Sequence, residues 1–324
     1  MNIQSNIAVV IPCYRARQHI LEVLDEIPAC VTSVHVVDDA CPEHTGRFVQ
    51  QHNEDPRVRV HFNPVNLGVG GAVLRGYGEA IAAGAEVIVK IDGDGQMDPA
   101  LLEQFVMPIL RDEADYTKGN RFFDLSNIRQ MPALRIIGNA ALSFMAKLST
   151  GYWDIFDPTN GYTAIHADVA SKLPAGKISQ RYFFESDLLF RLNLLRAVVI
   201  DIPMDARYGE EVSNLRIADV AGEFLFNHMR NFCKRIFYNF FLRDLSIASI
   251  ELVLGCALML VGSAFGLYSW IHSAQTGNQA TAGTVMLAAL PLIIGLQFLL
   301  GFLNYDIASV PRRPMHVAKR PQTR

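Results

Sequence analysis

The stretch Ile88-Val-Lys-Ile-Asp-Gly-Asp-Gly-Gln-Met-Asp-Pro99 decides the fold class of this chain. Its first four residues predict a short buried strand, and aspartates and turn glycines follow that strand directly. An aspartate before a proline then predicts the start of a helix. Because apolarity in the strand is continuous rather than alternating, we expect burial on both faces, as in a parallel sheet covered by helices.

The same alternation of short strand and helix occurs three times before this stretch. Such an order predicts an α/β fold with a Rossmann-like, mostly parallel sheet. Ligands bind such sheets at the carboxyl ends of the strands, and here those ends are polar. The predicted strands are 7–11, 34–37, 58–62 and 88–91, the predicted helices are 19–27, 45–52 and 70–84, and the polar ends are Pro12-Cys-Tyr14, Asp38-Asp39 and Asp92-Gly-Asp94.

The composition of the chain excludes several classes of protein. Of 324 residues, 50% are apolar and 19% are charged, and the formal net charge is −3. These values exclude a disordered chain, a fibrous repeat and a nucleic-acid binder with a basic face. The mean hydropathy is positive, +0.18. Because residues 245–305 are almost uncharged, we expect a catalytic domain followed by a membrane anchor.

The C-terminal part predicts an interfacial helix and two membrane spans. Apolar and aromatic residues alternate with cations at helical spacing, which is typical of a helix at a membrane interface and also of a helix packed on a core. Residues 245–271 and 284–303 are long enough to cross a bilayer, with a buried helical hairpin as the alternative. The predicted boundaries are 1–216 for the catalytic domain, 217–244 for the amphipathic helix, 245–305 for the transmembrane hairpin and 306–324 for a basic tail.

The distribution of charge predicts the orientation of the spans. Lysines and arginines precede the first span and follow the second, whereas the loop at 272–280 contains no charged residue. The positive-inside rule therefore places the catalytic domain and the C-terminus on the cytoplasmic side of the plasma membrane, the inner membrane where there are two.

The residues after the fourth predicted strand indicate a metal site. Asp92 and Asp94 stand two residues apart at the strand end, and Gln96 follows. Mg²⁺ in proteins uses one or two carboxylates together with waters and substrate phosphates. A divalent ion held in this way would neutralise a diphosphate leaving group. The sequence therefore predicts Mg²⁺ or Mn²⁺ as a cofactor.

Two further motifs have two interpretations each. Asp38 and Asp39 could accept hydrogen bonds from a ribose or a base, or cap the helix that follows. The stretch Asn66-Leu-Gly68-Val-Gly70-Gly71 suits a phosphate-binding loop, and it equally suits a tight turn that allows close backbone approach.

Several motifs in a fixed order identify a family resemblance over residues 5–215. The series resembles the family-2 glycosyltransferases with the GT-A fold, and among them the dolichol- and polyprenyl-phosphate sugar transferases. The two-helix C-terminal part is similar to that of bacterial members. The motifs are Pro12-Cys-Tyr14, Val37-Asp-Asp39, Asn66-Leu-Gly68, Asp92-Gly-Asp94-Gly-Gln96, Gly119-Asn-Arg121 and Asp157-Pro-Thr-Asn-Gly161-Tyr162.

The resemblance, together with the carboxylates named above, implies a set of site residues. Asp94, Arg121, Arg135 and Asp187 are the expected catalytic residues. The expected nucleotide contacts are Pro12, Tyr14, Val37, Asp38, Asp39, Asp92 and Gly93, the metal contacts are Asp92, Asp94 and Gln96, and the acceptor contacts are Arg135, Asn139 and Arg207.

This chain departs from the family pattern in two places. Arg15-Ala16 stands where the family has Asn-Glu, so one nucleoside contact is missing. The segment from Arg207 to Asn214 has a changed register and lacks the family's lysine.

The chemistry of the acceptor separates the candidate functions. A phosphate acceptor is already an anion at pH 7, so it needs cations that overcome repulsion from the donor diphosphate rather than a base. A hydroxyl acceptor would need a general base, for which Asp187 is the candidate. We expect inverting transfer of a sugar from a nucleotide sugar to a polyprenyl phosphate at the bilayer. A hydroxyl acceptor and a non-catalytic nucleotide-binding scaffold are the alternatives, and association with a second copy of the chain stays open.

Overall fold

The computed structural model describes residues 5–123, 133–204 and 217–317. Within these residues one mixed sheet has seven strands in the order β3-β2-β1-β4-β6-β5-β7. The strands are β1 (Ile7–Cys13), β2 (Val31–Asp38), β3 (Val58–Phe62), β4 (Val87–Lys90), β5 (Tyr116–Asn120), β6 (Thr163–His166) and β7 (Val199–Pro203).

The sheet is mostly parallel, as the sequence predicts. β1 pairs in parallel with β2 and β4, and β2 pairs in parallel with β3. Only β6 runs antiparallel to its neighbours in the described sheet, between β4 and β5. The predicted α/β fold is therefore confirmed, and the stretch Asp92–Gln96 follows β4 in the middle of the sheet.

Helices cover the sheet and continue beyond it. Helix α3 packs closely on β1, because a Cβ at Gly76 would collide with the side chain of Val10. The described helices are α1 (Ile20–Asp25), α2 (Thr45–His52), α3 (Val69–Ala82), α4 (Leu102–Leu110), α5 (Ala133–Thr150), α6 (Ala167–Ala170), α7 (Phe184–Leu195), α8 (Ile217–Phe237), α9 (Ile247–Thr276) and α10 (Ala282–Ala308), with a π-helical turn at Tyr238–Arg243.

The chain forms two compact units. The first comprises Met1–Phe232 and Pro311–Arg324, and the second comprises Cys233–Val310. These units follow from contacts, whereas the domain boundaries in the sequence analysis follow from composition and stay predictions.

In the first unit, the segment that follows α10 returns to the sheet. The backbone N–H groups of Met315 and His316 donate to the Asp115 carboxylate, at 2.8 and 3.1 Å. The His316 ring contacts the same carboxylate through Nδ1 at 2.6 Å and Asp112 through Nε2 at 3.1 Å. The imidazole ring of His316 also stacks on the ring of His166, with the ring centroids 4.3 Å apart. We call residues 311–317 the C-terminal strap.

The second unit is a helical hairpin. Both α9 and α10 are long and apolar enough to cross a membrane. Glycines allow the two helices to approach, since a Cβ at Gly255 would lie 3.1 Å from the Gly295 carbonyl oxygen. Arg235 in the last turn of α8 is buried and forms a bidentate ion pair with Asp306 in α10, at 2.5 and 2.9 Å. The sequence pattern counts Arg235 among the interfacial cations, but its pairing with Asp306 removes it from solvent.

Candidate active site

A cleft of about 500 Å³ opens at the carboxyl ends of β1, β2 and β4. The sheet topology explains this position, because parallel strands end at the same edge. Six of the expected site residues line the cleft: Pro12, Tyr14, Asp39, Asp92, Gly93 and Asp94. The lining does not include the expected residues Val37, Asp38, Gln96, Arg121, Asn139 and Asp187.

The two adjacent aspartates at the end of β2 have different roles. Both are 3% exposed, but only Asp39 lines the cleft. The Asp38 carboxylate accepts hydrogen bonds from the N–H groups of Cys41 and Gly46, each at 2.7 Å. Since Gly46 lies in the first turn of α2, Asp38 acts as the helix-capping residue of the second interpretation. Val37 is fully buried in β2 and does not line the cleft.

Asp39 organises the glycine-rich stretch. Its Oδ1 accepts from Asn63 Nδ2 at 2.7 Å and from the Leu67 N–H at 2.9 Å, and its Oδ2 accepts from the Gly68 N–H at 2.7 Å. Gly68 has φ +84°, a conformation that favours glycine. The Gly70 N–H donates to the Gln180 carbonyl oxygen at 2.9 Å. These amides already have acceptors within the protein, which favours the tight turn over the phosphate-binding loop.

The metal motif presents two unlike carboxylates. Asp92 has a side chain that is 28% exposed, and its Oδ1 lies 2.9 Å from the ammonium of the buried Lys90. Asp94 Oδ1 accepts from the Gln96 N–H at 3.0 Å, in a turn that Gly95 permits with φ +77°. Gln96 therefore shapes this turn through its backbone, while Asp92 and Asp94 face the cleft.

The residues at the cleft fit a divalent cation that a substrate helps to hold. Among the described residues, no group of three or more His, Cys, Asp or Glu side chains could hold a metal by itself. Asp92 and Asp94 supply two carboxylates, which is the number that Mg²⁺ commonly takes from a protein when substrate phosphates complete its shell. Manganese accepts the same hard oxygen ligands.

Arg121 is held by a carboxylate from the motif at 157–162. Its Nε lies 2.8 Å from Asp157 Oδ2 and a terminal nitrogen lies 2.8 Å from Oδ1, so the pair is bidentate. Asn160 Nδ2 donates to the same carboxylate at 3.1 Å. Burial raises the pKa of Asp157, but the hydrogen bonds and charge of Arg121 outweigh burial and the pKa lies below its usual value. The arginine is thus fixed in orientation, with its side chain 32% exposed.

Asp187 is buried and fully engaged, away from the cleft lining. It is 0% exposed and accepts hydrogen bonds from the Ser179 N–H at 2.9 Å and from Asn231 Nδ2 at 2.8 Å. Arg191 Nε lies 3.8 Å from its carboxylate. These contacts join α7, the loop at 178–183 and α8, which is a positioning role.

The expected acceptor residues fall mostly outside the described residues. The side chain of Arg135 and the whole of Arg207 lie outside them, as does Arg216. Asn139 lies in α5 with a partly exposed side chain. Their roles stay predictions.

The cleft also contains two residues that the sequence analysis does not single out. Arg181 and Tyr182 line it from the loop before α7, and Tyr182 is 61% exposed. Two hydrogen bonds hold this loop. The Gln180 carbonyl oxygen accepts from an N–H group of α3, and the Ser179 N–H donates to Asp187. An Arg-Tyr pair at the start of a helix carries no metal or nucleophile pattern, so the sequence alone gives no signal for it.

The chain matches the family described as glycosyl transferase family 2 over residues 8–173. The match spans half of the chain and includes the cleft residues from Pro12 to Asp94. This protein belongs to that family. The cleft of this glycosyltransferase lies at the carboxyl edge of the sheet, which is where ligands bind in α/β folds.

Two curated proteins similar to this glycosyltransferase are named for lipid phosphates. The undecaprenyl-phosphate mannosyltransferase of Micrococcus luteus is 27% identical over 228 residues, which cover 69% of this chain and 93% of the relative. The UDP-N-acetylglucosamine–dolichyl-phosphate N-acetylglucosaminyltransferase of Methanococcus voltae is 25% identical over 218 residues, covering 63% and 86%. The family recognised from the motifs is therefore confirmed.

Solved structures confirm the fold. Glucosyl-3-phosphoglycerate synthase from Mycobacterium tuberculosis, solved with Mn²⁺, UDP and phosphoglyceric acid, superposes with a TM-score of 0.54. The sequence identity is 19%, and the similarity covers 72% of this chain and 78% of the synthase. At this identity the likeness supports a GT-A-like fold for this glycosyltransferase and nothing finer.

Proposed function

We propose that this glycosyltransferase moves a sugar from a nucleotide-sugar donor to a polyprenyl phosphate at the membrane surface, with inversion at the anomeric carbon. The observation that carries the proposal is the burial of Asp187. A hydroxyl acceptor needs a general base, and the carboxylate expected in that role already accepts two hydrogen bonds inside the protein. An acceptor phosphate needs no such base, because it is ionised at pH 7.

The cleft supports the donor half of the proposal. Asp94 and Asp92 would hold Mg²⁺ or Mn²⁺ against the donor diphosphate, and the ion would neutralise the leaving group as it departs. Pro12, Tyr14 and Asp39 line the part of the cleft that suits the nucleoside. The relatives from Micrococcus luteus and Methanococcus voltae, named for lipid-phosphate acceptors, support the acceptor half.

Helix α8 supports a membrane location for the acceptor. Its buried side in the first unit is polar, with Asn227, His228 and Asn231 at most 9% exposed. Its exposed side is apolar, with Phe226 66% and Met229 55% exposed. A helix on the surface of a soluble domain buries its apolar side and exposes its polar side, and α8 does the opposite. An exposed apolar face beside cations suits the headgroup region of a bilayer.

The proposal also includes sidedness. Lysines and arginines flank both ends of the hairpin, so the positive-inside rule favours a cytoplasmic catalytic unit, where sugar nucleotides are made.

The test uses the full chain in detergent or proteoliposomes. Labelled UDP-, GDP- and dTDP-sugars are incubated with Mn²⁺ or Mg²⁺, with and without undecaprenyl phosphate, and the organic phase is counted. The proposal expects label in the organic phase only when lipid phosphate and a divalent ion are both present. Binding of a sugar nucleotide without transfer to any acceptor would favour the scaffold.

A further inference from the structure

Arg181 is the only cation among the described residues that line the cleft. The same lining contains three carboxylates, those of Asp39, Asp92 and Asp94. A sugar nucleotide brings an anionic diphosphate into such a cleft, and carboxylates repel this anion whereas a guanidinium attracts it. The charge of the cleft wall therefore makes Arg181 a candidate for binding the donor.

The glycine at position 68 leaves room for the stem of Arg181. A Cβ at Gly68 would lie 3.0 Å from Arg181 Cγ and 2.5 Å from the Gln180 carbonyl oxygen. Gly68 is also the residue whose N–H donates to the Asp39 carboxylate. The side chain of Arg181 therefore leaves its backbone beside the Gly68 turn, next to the wall that Asp39 organises.

The backbone on both sides of Arg181 is fixed by hydrogen bonds. The Gln180 carbonyl oxygen accepts from the Gly70 N–H at 2.9 Å. The carbonyl oxygen of Arg181 itself accepts from the Phe184 N–H at 2.8 Å, in the first turn of α7. A backbone that is already fixed reduces the entropy that is lost when the side chain binds a ligand.

Helix α8 holds the same loop through aromatic contacts. The ring of Phe183 is buried and lies edge-to-face against Phe224 and His228 of α8, with ring centroids 5.5 and 4.8 Å apart. The loop that carries Arg181 is thus fixed between the cleft and the helix that the proposed function puts at the membrane surface.

The head group of Arg181 is exposed, in contrast to its fixed backbone. In the part of the chain that the structure describes, no carboxylate pairs with it. Other arginines of this chain are held by a bidentate carboxylate, as Arg121 is by Asp157 and Arg235 is by Asp306. The guanidinium of Arg181 therefore keeps its donors for a ligand in the cleft.

We propose that Arg181 binds the diphosphate of the sugar-nucleotide donor through its guanidinium. The inference rests on the proposed function, which puts a sugar nucleotide in this cleft. A guanidinium donates two parallel hydrogen bonds to a phosphate group, and its planar fork matches the phosphate oxygens. Because the contact exists before the sugar leaves as well as during its transfer, Arg181 affects the KM for the donor more than kcat.

The experiment compares a nucleoside diphosphate with its own nucleoside. UDP, GDP and dTDP are first titrated by calorimetry into the full-length protein in detergent with Mn²⁺, and the tightest of the three is then used beside its nucleoside. Arg181→Gln should lower the affinity for the diphosphate about twentyfold, since it removes charge-assisted hydrogen bonds. The affinity for the nucleoside should stay unchanged.

Arg47→Gln is the matched control, because Arg47 is an exposed arginine in α2 that does not line the cleft. This variant changes the net charge by the same amount and should bind both ligands as the wild type does. A folded Arg181→Gln protein with the wild-type affinity for the diphosphate would overturn the inference. A loss of equal size for nucleoside and diphosphate would also overturn it, since Arg181 would then contact the nucleoside.

A second variant tests the loop that carries Arg181. Phe183→Ala removes the ring contacts with α8 and should lower the affinity for the diphosphate about threefold while Arg181 is present. In the Arg181→Gln background the same change should have no further effect, because the group that the loop positions is gone. A full further loss in the double variant would contradict the positioning of Arg181 by this loop.

The same titration separates this inference from the proposed function. If the wild type binds none of the three diphosphates, the donor half of the proposed function fails, and this inference fails with it. If the wild type prefers the diphosphate to the nucleoside and Arg181→Gln keeps that preference, the inference fails alone.

Discussion

Two buried lysines on neighbouring parts of the sheet have very different surroundings. Lys118 in β5 donates to the carbonyl oxygens of Phe156 and Gly119, at 2.6 and 3.1 Å, and to Asp201 at 3.1 Å. Lys90 in β4 lies 2.9 Å from Asp92 Oδ1 and 3.7 Å from Glu185 Oε1, and among the described residues no carbonyl oxygen accepts from it. Lys118 is therefore held by carbonyl oxygens and a carboxylate together, whereas Lys90 is held by two carboxylates beside the cleft.

The pKa values of the two lysines also differ, and the difference follows from the charges around each. For Lys118, burial lowers the pKa and outweighs the charge of Asp201. For Lys90, burial also lowers the pKa, but the charges of Asp92 and Glu185 outweigh burial, so the pKa lies above its usual value. The region around Lys90 therefore carries an excess of negative charge beside the cleft, and the region around Lys118 does not.

The largest expected effect on activity comes from replacing Asp94, a carboxylate that lines the cleft in the first region. Asp94→Asn should lower turnover about a thousandfold, since the variant would lose a ligand of the divalent ion that stabilises the leaving diphosphate, a contribution of about 4 kcal/mol. The fold should be retained, because Asp94 lies in a turn at the cleft surface. The assay is transfer of labelled sugar, with Asp25→Asn, an exposed carboxylate at the end of α1, as the control. Near-normal turnover in folded Asp94→Asn would remove Asp94 from the site.

In the second region, replacement of Lys118 should lower the free energy of unfolding. Lys118→Met leaves Asp201 buried without its cation, which should cost about 3 kcal/mol of the free energy of unfolding. Thermal unfolding in detergent measures the effect. Asp201→Asn added to Lys118→Met should restore most of the loss, because no uncompensated charge then remains. An unchanged melting temperature in the single variant would show that the two lysine regions do not differ as described.

A smaller effect is expected from Gly161, where a Cβ would lie 2.6 Å from Asp92 Oδ2 and would collide with the ammonium of Lys90. Gly161→Ala should raise the KM for the donor about tenfold, since the new Cβ displaces Asp92 from its place in the cleft. Gly78→Ala is the matched control, because no atom lies within 4 Å of a Cβ at that position in α3. Equal KM values for the two variants would contradict the close pairing of Lys90 and Asp92.

The smallest expected effect is a change with pH in the stability that the C-terminal strap contributes. Burial lowers the pKa of His316, but the hydrogen bonds and charges of Asp115 and Asp112 outweigh burial, so the pKa lies above its usual value. The stacked neighbour His166 has a pKa below its usual value, mainly because of burial and then because of His316. A raised pKa means that the contribution of His316 to stability is complete below about pH 6.5 and declines as the pH rises through the raised value.

The measurement compares the wild type with His316→Gln over pH 5.5 to 9. The wild type should melt about 2–4 °C higher than the variant at the acidic end, the shift that one kcal/mol gives in a chain of this size. The difference should narrow as the pH rises. Histidines with lowered pKa values, His35 and His228 among them, destabilise both proteins in acid, so only the difference reports on the strap. A constant difference would contradict an ionised His316.

The sequence predicts the first half of the sheet because its strands are continuous apolar runs. The predicted strands at 7–11, 34–37, 58–62 and 88–91 all lie within or beside β1 to β4, although β1 extends to Cys13. β5 reads Tyr-Thr-Lys-Gly-Asn and has no apolar run that would predict a strand. Its lysine can be buried because it pairs with Asp201, 83 residues away. Such a strand is defined by tertiary pairing and not by local pattern.

The sequence likewise predicts only part of the candidate site. The metal motif is local, so Asp92 and Asp94 are found from spacing alone. The roles of Asp38, Asp39 and Asp187 depend on which amides approach them in the folded chain, and their spacing does not reveal that. The contact between Lys90 and Glu185 joins residues that are far apart in sequence, and so does the ion pair of Arg121 with Asp157. Motif order predicts the chemistry of the site, whereas the partners of each charge require the structure.

The most direct test of the proposed function compares two acceptors that differ only in the group that attacks the sugar. Undecaprenyl phosphate and undecaprenol are given to the same preparation of the full chain with its preferred labelled sugar nucleotide and Mn²⁺. Because Asp187 is buried and engaged, no transfer to undecaprenol is expected, while undecaprenyl phosphate should give a labelled lipid. Transfer to undecaprenol at a comparable rate would contradict the account.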